Sequence, residues 1–594
     1  MCAIFGIIGD YNKKDALSAL NLMSHRGVDA TNYSTCKDVF FAHNLLNINN
    51  SRTSQPLHVK DIMITFNGEI YNYKALAKEL HVEQLSEIDV LHVAYKRWGV
   101  DFVKKVKGMF AIAIYDRGEL YLFRDSVGKK PLFYYHDSNK FIFASELKAI
   151  KPFLKQKRLS SDALLSYLSF STPTPPHTFF DGVFKLPSAS YLKFSNSKIE
   201  IVEYYNILDS EVIYEHENLE LHVETLLKNS IFTRCESQTK KALLLSGGVD
   251  SSLLAAMAKK MSLNFHAYTL GYKEKNSHDE TIFAKEVASY LGIKHSVVQY
   301  GKSDFFETIE DVFEHLDEPL NDPSTIPLEY LFKQISSDGY KVALSGEGSD
   351  ELFYGYRQYG EYYDIEQLSS LKHKNWLKKY LNSFPTQHRE WEWYRRVFSD
   401  ELLFRTSSEV FTDIQKNRAL TKSVDENGSM NYLNSYYDKF INSRYKDMLS
   451  WYSYIDLKLH VGENFLTKLD RVSMSNGVEA RTPYLDLEFM NRVFSLSNEL
   501  KFSTSKSKPL LKNIAQHYLP QTIVNRKKKG FSYPYMKWLV ENNSLEIIKS
   551  VNKDTLLFKK DYIDGLILGA NRGKFKNHIY ALYNLSHWLK REIL

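Results

Sequence analysis

The first 200 or so residues carry their apolar side chains in short runs instead of helical stripes. Ile62-Met63-Ile64-Thr65-Phe66, Met109-Phe110-Ala111-Ile112-Ala113-Ile114-Tyr115 and Tyr121-Leu122-Phe123 are each punctuated by turn residues. Runs of this length and content predict antiparallel sheets with a few helices. Between about 171 and 210 the chain turns proline-rich, with Ser171-Thr172-Pro173-Thr174-Pro175-Pro176 and then Lys185-Leu186-Pro187, which predicts the approach to a domain boundary. After about 215 the period becomes helical. Within that stretch two apolar strands share one design. Ala242-Leu243-Leu244-Leu245 runs into Ser246-Gly247-Gly248-Val249-Asp250-Ser251-Ser252, and Val342-Ala343-Leu344 runs into Ser345-Gly346-Glu347-Gly348-Ser349-Asp350-Glu351. Each is a buried strand, a glycine turn and an acid. Ligands gather at the carboxyl ends of strands in an open parallel sheet, so both loops are expected to face one crevice. From about 360 onward the chain is helix-rich and aromatic.

A chain of 594 residues is too long for one core. We expect two domains, 1–205 and 215–594. The hydrophobic share of 43% and charged share of 25% are those of an ordinary soluble protein. No stretch reaches 18 apolar residues and the first 30 residues lack a basic-then-apolar leader, so a cytoplasmic location is expected. Cys2, Cys36 and Cys235 form no CxxC pair, which argues against a disulfide framework or a zinc site. A net charge of +6 without a basic, aromatic-studded face excludes nucleic acid as an expected partner, and no membrane partner is expected either.

Chemistry enters at Cys2, directly after Met1. Removal of the methionine would leave a thiol and a free α-amine on one residue, with pKa values of about 8.5 and 7.7 to 8, so the residue would carry both nucleophile and base. The Ser246 to Ser251 loop lacks the Gly-x4-Gly-Lys-Ser/Thr phosphate pattern, but its small residues let backbone N–H groups approach phosphate oxygens. A helix starting near Ser251 adds its positive end. Asp250 would repel phosphate directly, so Mg²⁺ between them is expected, with Asp350 as a second ligand.

Around Cys2 stand His25-Arg26-Gly27-Val28-Asp29, Asn67-Gly68-Glu69-Ile70-Tyr71-Asn72, Arg124-Asp125-Ser126-Val127-Gly128-Lys129-Lys130-Pro131-Leu132 and Phe143-Ala144-Ser145-Glu146-Leu147. Asn-Gly alone is also a common hairpin turn. Together the blocks resemble the class II glutamine amidotransferase domain, an N-terminal-nucleophile hydrolase sandwich with antiparallel sheets between helices. The resemblance implies that the Cys2 thiolate attacks the glutamine amide and releases ammonia. The Asn67 side chain and Gly68 amide would form the oxyanion hole, and Glu69 would hold the substrate amino end.

The later loops resemble those of the N-type ATP pyrophosphatases, a parallel-sheet α/β fold with a helical C-terminal part. Three further blocks complete the pattern: Lys468-Leu469-Asp470-Arg471-Val472-Ser473-Met474, Glu479-Ala480-Arg481-Thr482-Pro483-Tyr484-Leu485-Asp486 and Arg526-Lys527-Lys528-Lys529-Gly530-Phe531. Nearly the whole chain thus resembles the glutamine-hydrolysing asparagine synthetase family. The resemblance implies that Leu244, Leu270, Ser345 and Gly346 line the adenine and ribose pocket. Ser246, Gly248, Asp250 and Ser251 would hold pyrophosphate and metal, and Glu347 would accept a proton from attacking ammonia. Lys508, or Lys506 in the same run, would neutralise charge on the phosphates. Glu479, Arg481, Asp470 and Arg471 read either as acceptor-site residues or as a buried ion-pair network, and Arg526 to Phe531 either as a loop closing on the nucleotide or as a basic surface.

Two glutamine-pocket positions depart from the family. Leu45 stands where an arginine is expected to bind the α-carboxylate, and Glu87 where an aspartate is expected for the α-amino group. Weakened or altered glutamine use is therefore expected, with Arg52 as one compensating cation. The substrates implied are glutamine, ATP and aspartate, giving asparagine, AMP and pyrophosphate through a β-aspartyl-adenylate, and an enclosed route for ammonia between the two sites is expected. An amidotransferase acting on another carboxylate, such as a uronic sugar of a surface polysaccharide, fits the same ATP motifs. Its acceptor pocket would lie around 315–330 and 460–485, where Asp317-Glu318-Pro319 and Asp322-Pro323-Ser324 sit. A ligand-binding homologue without catalysis would not need to keep Cys2, Asp250, Glu347 and Asp350. A homodimer is possible by analogy with the family.

Overall fold

The computed structural model describes residues 2–49, 54–82, 85–214, 217–274, 279–383, 389–503, 507–526 and 532–594. Its first half holds two six-stranded sheets. One is ordered β10 (Val183–Lys185), β8 (Phe133–His136), β9 (Lys140–Ala144), β1 (Cys2–Gly9), β3 (Val39–Leu45) and β2 (Ala30–Cys36). The other is ordered β12 (Lys198–Glu203), β11 (Ser190–Ser195), β7 (Glu119–Arg124), β6 (Gly108–Asp116), β5 (Ile62–Ile70) and β4 (Leu57–Val59). All pairings within them are antiparallel. Strand side chains alternate between faces, and here both faces are buried, which is why the runs read as almost unbroken apolar sequence. Ile4 of β1 packs against Ala111 and Leu122 of the opposite sheet. Its neighbours Ala3, Phe5 and Ile7 pack outward against Ala16, Ala19 and Leu20 of the helix Lys13–Asn21. Phe110, Ile112 and Ile114 of β6 face the helix Glu87–Trp98. The result is a helix, sheet, sheet, helix sandwich.

The second half is built on a five-stranded parallel sheet ordered β15 (His295–Tyr300), β14 (His266–Tyr272), β13 (Lys241–Leu244), β16 (Val342–Leu344) and β17 (Glu479–Arg481). One face packs on the helices Leu219–Cys235 and Val249–Lys260, and the other on Thr325–Ser337 and Leu466–Met474. A helical region follows.

The proline-rich stretch is not an exposed linker. Ser171, Thr172 and Thr174 are buried, and the segment from 183 onward supplies β10 to one sheet and β11 and β12 to the other. The last helix, Lys576–Glu592, reaches back to this region: Tyr167 donates its hydroxyl to the Ala581 carbonyl at 2.9 Å, and Lys151 pairs with Glu592 at 2.9 Å. No helix among the described residues is long and apolar enough to cross a membrane.

Candidate active site

Cys2 opens β1, buried, directly opposite Leu45 of β3. Its backbone N–H donates to Asn67 Oδ1 at 3.2 Å and its carbonyl accepts from Arg26 Nε at 3.3 Å. Burial pushes the Cys2 thiol up, while the positive amino end of the chain pulls the other way. Asn67 Nδ2 is buried and has no hydrogen-bond partner among the described residues, so a donor remains available beside Cys2. Asn67, Gly68 and Glu69 lie inside β5, paired residue for residue with β6, which rules out the hairpin-turn reading. Gly68 has φ +148°, and a Cβ there would stand 1.9 Å from the Met109 carbonyl oxygen, so only glycine fits.

Glu69 and Glu87 converge beyond the nucleophile. Glu69 accepts from Asn49 Nδ2 at 2.7 Å and pairs with Arg481 at 3.2 Å. Glu87 accepts from the Ile70 amide at 3.2 Å. Burial raises both carboxyls above their ordinary range, and the charge of Glu69 pushes Glu87 further. Arg481 also pairs with Glu479 at 2.5 Å, so one guanidinium serves the two buried carboxylates Glu69 and Glu479, while Glu87 beside them is half-buried. Such an arrangement favours a second cationic group, and the ammonium of an α-amino acid has that chemistry.

A cavity of about 1010 Å³ opens at the carboxyl ends of β13, β14 and β16. Leu244, Ser246, Asp250, Ser251, Leu270, Ser345, Gly346, Glu347 and Asp350 all line it. Gly248, whose amide donates to Ser246 Oγ at 3.2 Å, caps the helix that carries Asp250. Gly247 has φ +73°, and a Cβ there would meet the Ala284 amide at 2.6 Å. Lys508 is buried in a left-handed conformation at φ +53°, with Nζ 2.6 Å from Asp250 and 2.8 Å from Asp350. Burial alone would lower its pKa, but the two carboxylates outweigh that and raise it. Two hard carboxylates gathered on one positive centre suit Mg²⁺ shared with phosphate oxygens. No group of three or more His, Cys, Asp or Glu among the described residues is arranged to hold a metal without such help.

Glu347 is raised above the usual carboxylate range by burial, against the pull of Lys468. Lys468 donates to Asp322 at 2.7 Å and to Ser324 Oγ at 3.0 Å. Lys506 lies outside the described residues, as do Arg52 and 527–531. Arg526 donates to the Gly247 carbonyl at 3.1 Å and pairs with Glu280, so the basic run does meet the nucleotide loop at its first residue.

The two sites are joined by buried ion pairs. Arg26 pairs with Glu146 at 2.9 Å and with Asp470 at 2.8 Å, and Lys130 with Asp470 at 2.9 Å. Arg471 pairs with Glu146 at 2.7 Å and Asp317 at 3.1 Å, and Glu463 receives both Arg124 and Lys185. Beside them Lys129 Nζ is buried with no hydrogen-bond partner among the described residues, its pKa pulled down to about 7 by burial and by Lys130. Of the two readings for Glu479, Arg481, Asp470 and Arg471, the structure supports the ion-pair network. They face the first half, not the acceptor cavity, and Asp317 belongs with them. Glu318 also stands apart from the cavity, accepting from the Phe179 amide at 2.6 Å.

The sequence reading passed over His460 and Asn464, which line the cavity from a π-helical turn, Asp456–Phe465. No local pattern signals a wide turn of that kind. Lys468 lies in the Lys468 to Met474 run, and nothing in that run alone places it in the cavity.

Comparison with known proteins matches two family models to these regions: Asparagine synthase over residues 222–590 and Glutamine amidotransferase domain over residues 1–205. The chain is 28% identical over 589 residues to asparagine synthetase [glutamine-hydrolyzing] 1 of Bacillus subtilis, covering 95% of this chain and 92% of that protein. It is 26% identical over 585 residues to amidase chyE of Penicillium rubens, covering 88% and 84%. A solved glutamine phosphoribosylpyrophosphate amidotransferase from B. subtilis overlays 50% of this chain and 65% of its own at a TM-score of 0.27 and 16% identity.

Proposed function

Because the chain belongs to the asparagine synthase family and carries a glutamine amidotransferase domain, we propose that it is a glutamine-dependent asparagine synthetase made of two working domains, 1–205 and 215–594. The observation that carries this reading is that Arg481 of β17 touches both sites. Its guanidinium pairs with Glu69 beside Cys2, and its carbonyl accepts the Ser345 amide at 2.9 Å at the start of the second glycine loop.

In this reading, loss of Met1 frees the Cys2 amine, which takes the thiol proton. The thiolate attacks the glutamine amide carbon and Asn67 Nδ2 and the Gly68 amide receive the charge on its oxygen; the leaving nitrogen takes the proton back from the Cys2 ammonium and departs as ammonia, leaving a thioester that water hydrolyses to glutamate. Glu69 and Glu87 hold the substrate ammonium. In the cavity Ser246, Gly248 and Ser251 bind the pyrophosphate portion of ATP, Leu244, Leu270, Ser345 and Gly346 enclose its nucleoside, and Lys508 opposes the phosphate charge. Asp250 and Asp350 would hold Mg²⁺, which supplies further charge neutralisation there. Glu347, its pKa raised by burial, takes the proton that ammonia loses on attacking the β-aspartyl-adenylate.

A second reading, an amidotransferase for a larger carboxylate such as a uronic sugar, is favoured by one feature. The cavity reaches the upper end of the usual ligand range, and its lining outside the two glycine loops is rich in polar groups, neutral ones such as Asn321, Ser407 and Asn464 and charged ones such as Glu409, Lys468 and Lys576. Pyrophosphate release from ATP and Mg²⁺ with ammonium separates the two. Dependence on aspartate with asparagine as product supports the synthetase; silence with aspartate and turnover with a uronate supports the alternative.

A further inference from the structure

Part of the cavity wall carries buried polar atoms that the protein itself does not answer. Among the described residues, Asn321 Oδ1, Asn464 Oδ1 and His460 Nδ1 are buried without a hydrogen-bond partner, and all three residues line the cavity. Buried polar atoms are rarely left unmet, and three in one wall are accounted for by a ligand that brings hydrogen-bond donors.

The three belong to one patch. Lys468 donates to Asp322, the neighbour of Asn321, at 2.7 Å, and its ammonium lies 4.4 Å from the ring centre of Phe465, the neighbour of Asn464. The His460 ring stands 4.1 Å from that of Phe465. Glu347 and Lys468 both line the cavity and are near enough for each charge to act on the other, so the patch adjoins the carboxylate that would meet the attacking ammonia.

The surroundings of Asn321 fix which way its amide points. Ser171 Oγ donates its one proton to the Ser408 carbonyl at 3.0 Å, so toward Asn321 it can only accept, and it does so from Nδ2 at 3.4 Å. Oδ1 is thereby left as an acceptor. The same stretch of the first half braces both asparagines. The Asn321 amide donates to the Ser171 carbonyl at 2.8 Å, and Thr172 Oγ1 donates to the carbonyl of Glu463, next to Asn464, at 3.3 Å.

We propose that Asn321 and Asn464 are acceptor-specificity residues whose carboxamide oxygens receive the α-ammonium of aspartate while its other end is activated beside Glu347. An ammonium has three donors and no acceptor, which is the complement of two free carbonyl oxygens. The inference rests on the asparagine synthetase reading of the cavity.

The test measures pyrophosphate release from the full chain with ATP, Mg²⁺ and ammonium, offering either aspartate or succinate, which is aspartate without its ammonium group. For the unaltered protein kcat/KM for aspartate should exceed that for succinate by about 10- to 100-fold, as expected of charge-assisted contacts. In Asn321→Leu the ratio should fall by about tenfold, the loss of one such contact. Asn321→Asp, which keeps an oxygen acceptor, should keep the preference. Asn464→Leu should lower the ratio as well, and it carries the test where Asn321→Leu does not fold. The ratio is read within each variant, so a smaller folded fraction does not change it. An unchanged ratio in a folded Leu variant would overturn this inference alone. Failure of the unaltered protein to use aspartate would overturn both it and the synthetase reading beneath it.

Discussion

In the nucleotide cavity the principal charges are answered from within one half of the chain: Lys508 by Asp250 and Asp350, Lys468 by Asp322. At the Cys2 site the answer comes from across the boundary, Glu69 meeting Arg481, and at the nearby end of β3 Asp29 meets Lys341. The first site takes its main counter-charges from its own half. The second is assembled only when β16 and β17 dock against β3 and β5. The contrast teaches that the Cys2 site cannot be altered independently of β17, whereas the cavity takes its principal counter-charges from the half that forms it.

If that contrast is right, Lys508→Met strikes hardest and does not discriminate between nitrogen sources. It removes the cation between two half-buried carboxylates, and pyrophosphate release should fall by about 10³-fold with either glutamine or ammonium. Asn67→Ala should cost about 10²- to 10³-fold in glutamine hydrolysis while ammonium-driven pyrophosphate release changes far less. Equal losses with both nitrogen sources would break the separation. Arg481→Met tests the boundary itself. It leaves Glu69 and Glu479 buried without their cation, which should destabilise the protein by about 3–5 kcal/mol, seen as a lower urea midpoint.

A smaller effect follows from pH. Burial raises Glu69 and Glu87, and both must be ionised to hold an ammonium, so acidification protonates them at a pH above the ordinary carboxylate value of about 4.3. The KM for glutamine in ammonia release should therefore climb as pH falls toward that value. A KM that stays flat down to it would remove those carboxylates from the binding site. Smallest is Leu45→Arg in the otherwise unaltered protein: a cation restored opposite Cys2 should lower KM for glutamine by about tenfold, the size of a charge-assisted contact. A KM left unchanged by the substitution would remove the weakened glutamine use expected from Leu45.

The strands of the first half were legible because layers on both sides exclude water, so β1, most of β6 and the Ile62–Phe66 part of β5 are almost wholly apolar. β17 was not. Two of its three residues are Glu479 and Arg481, and charged side chains enter a sheet only where partners wait for them. Those partners, Glu69 among them, lie hundreds of positions away. The two glycine loops were legible for the opposite reason, since phosphate binding needs small residues, a helix start and an acid in immediate succession.

The sequence by itself thus determined the chemistry that must be contiguous: a thiol at Cys2, donors at Asn67 and Gly68, and loops that bring Asp250, Glu347 and Asp350 to strand ends. Only the tertiary structure decided which charges are paired. A buried charge is tolerated where an opposite one lies within a few ångströms, and that distance is set by docking, not by chain order. Lys341 and Asp29 are 312 positions apart and 2.9 Å from each other.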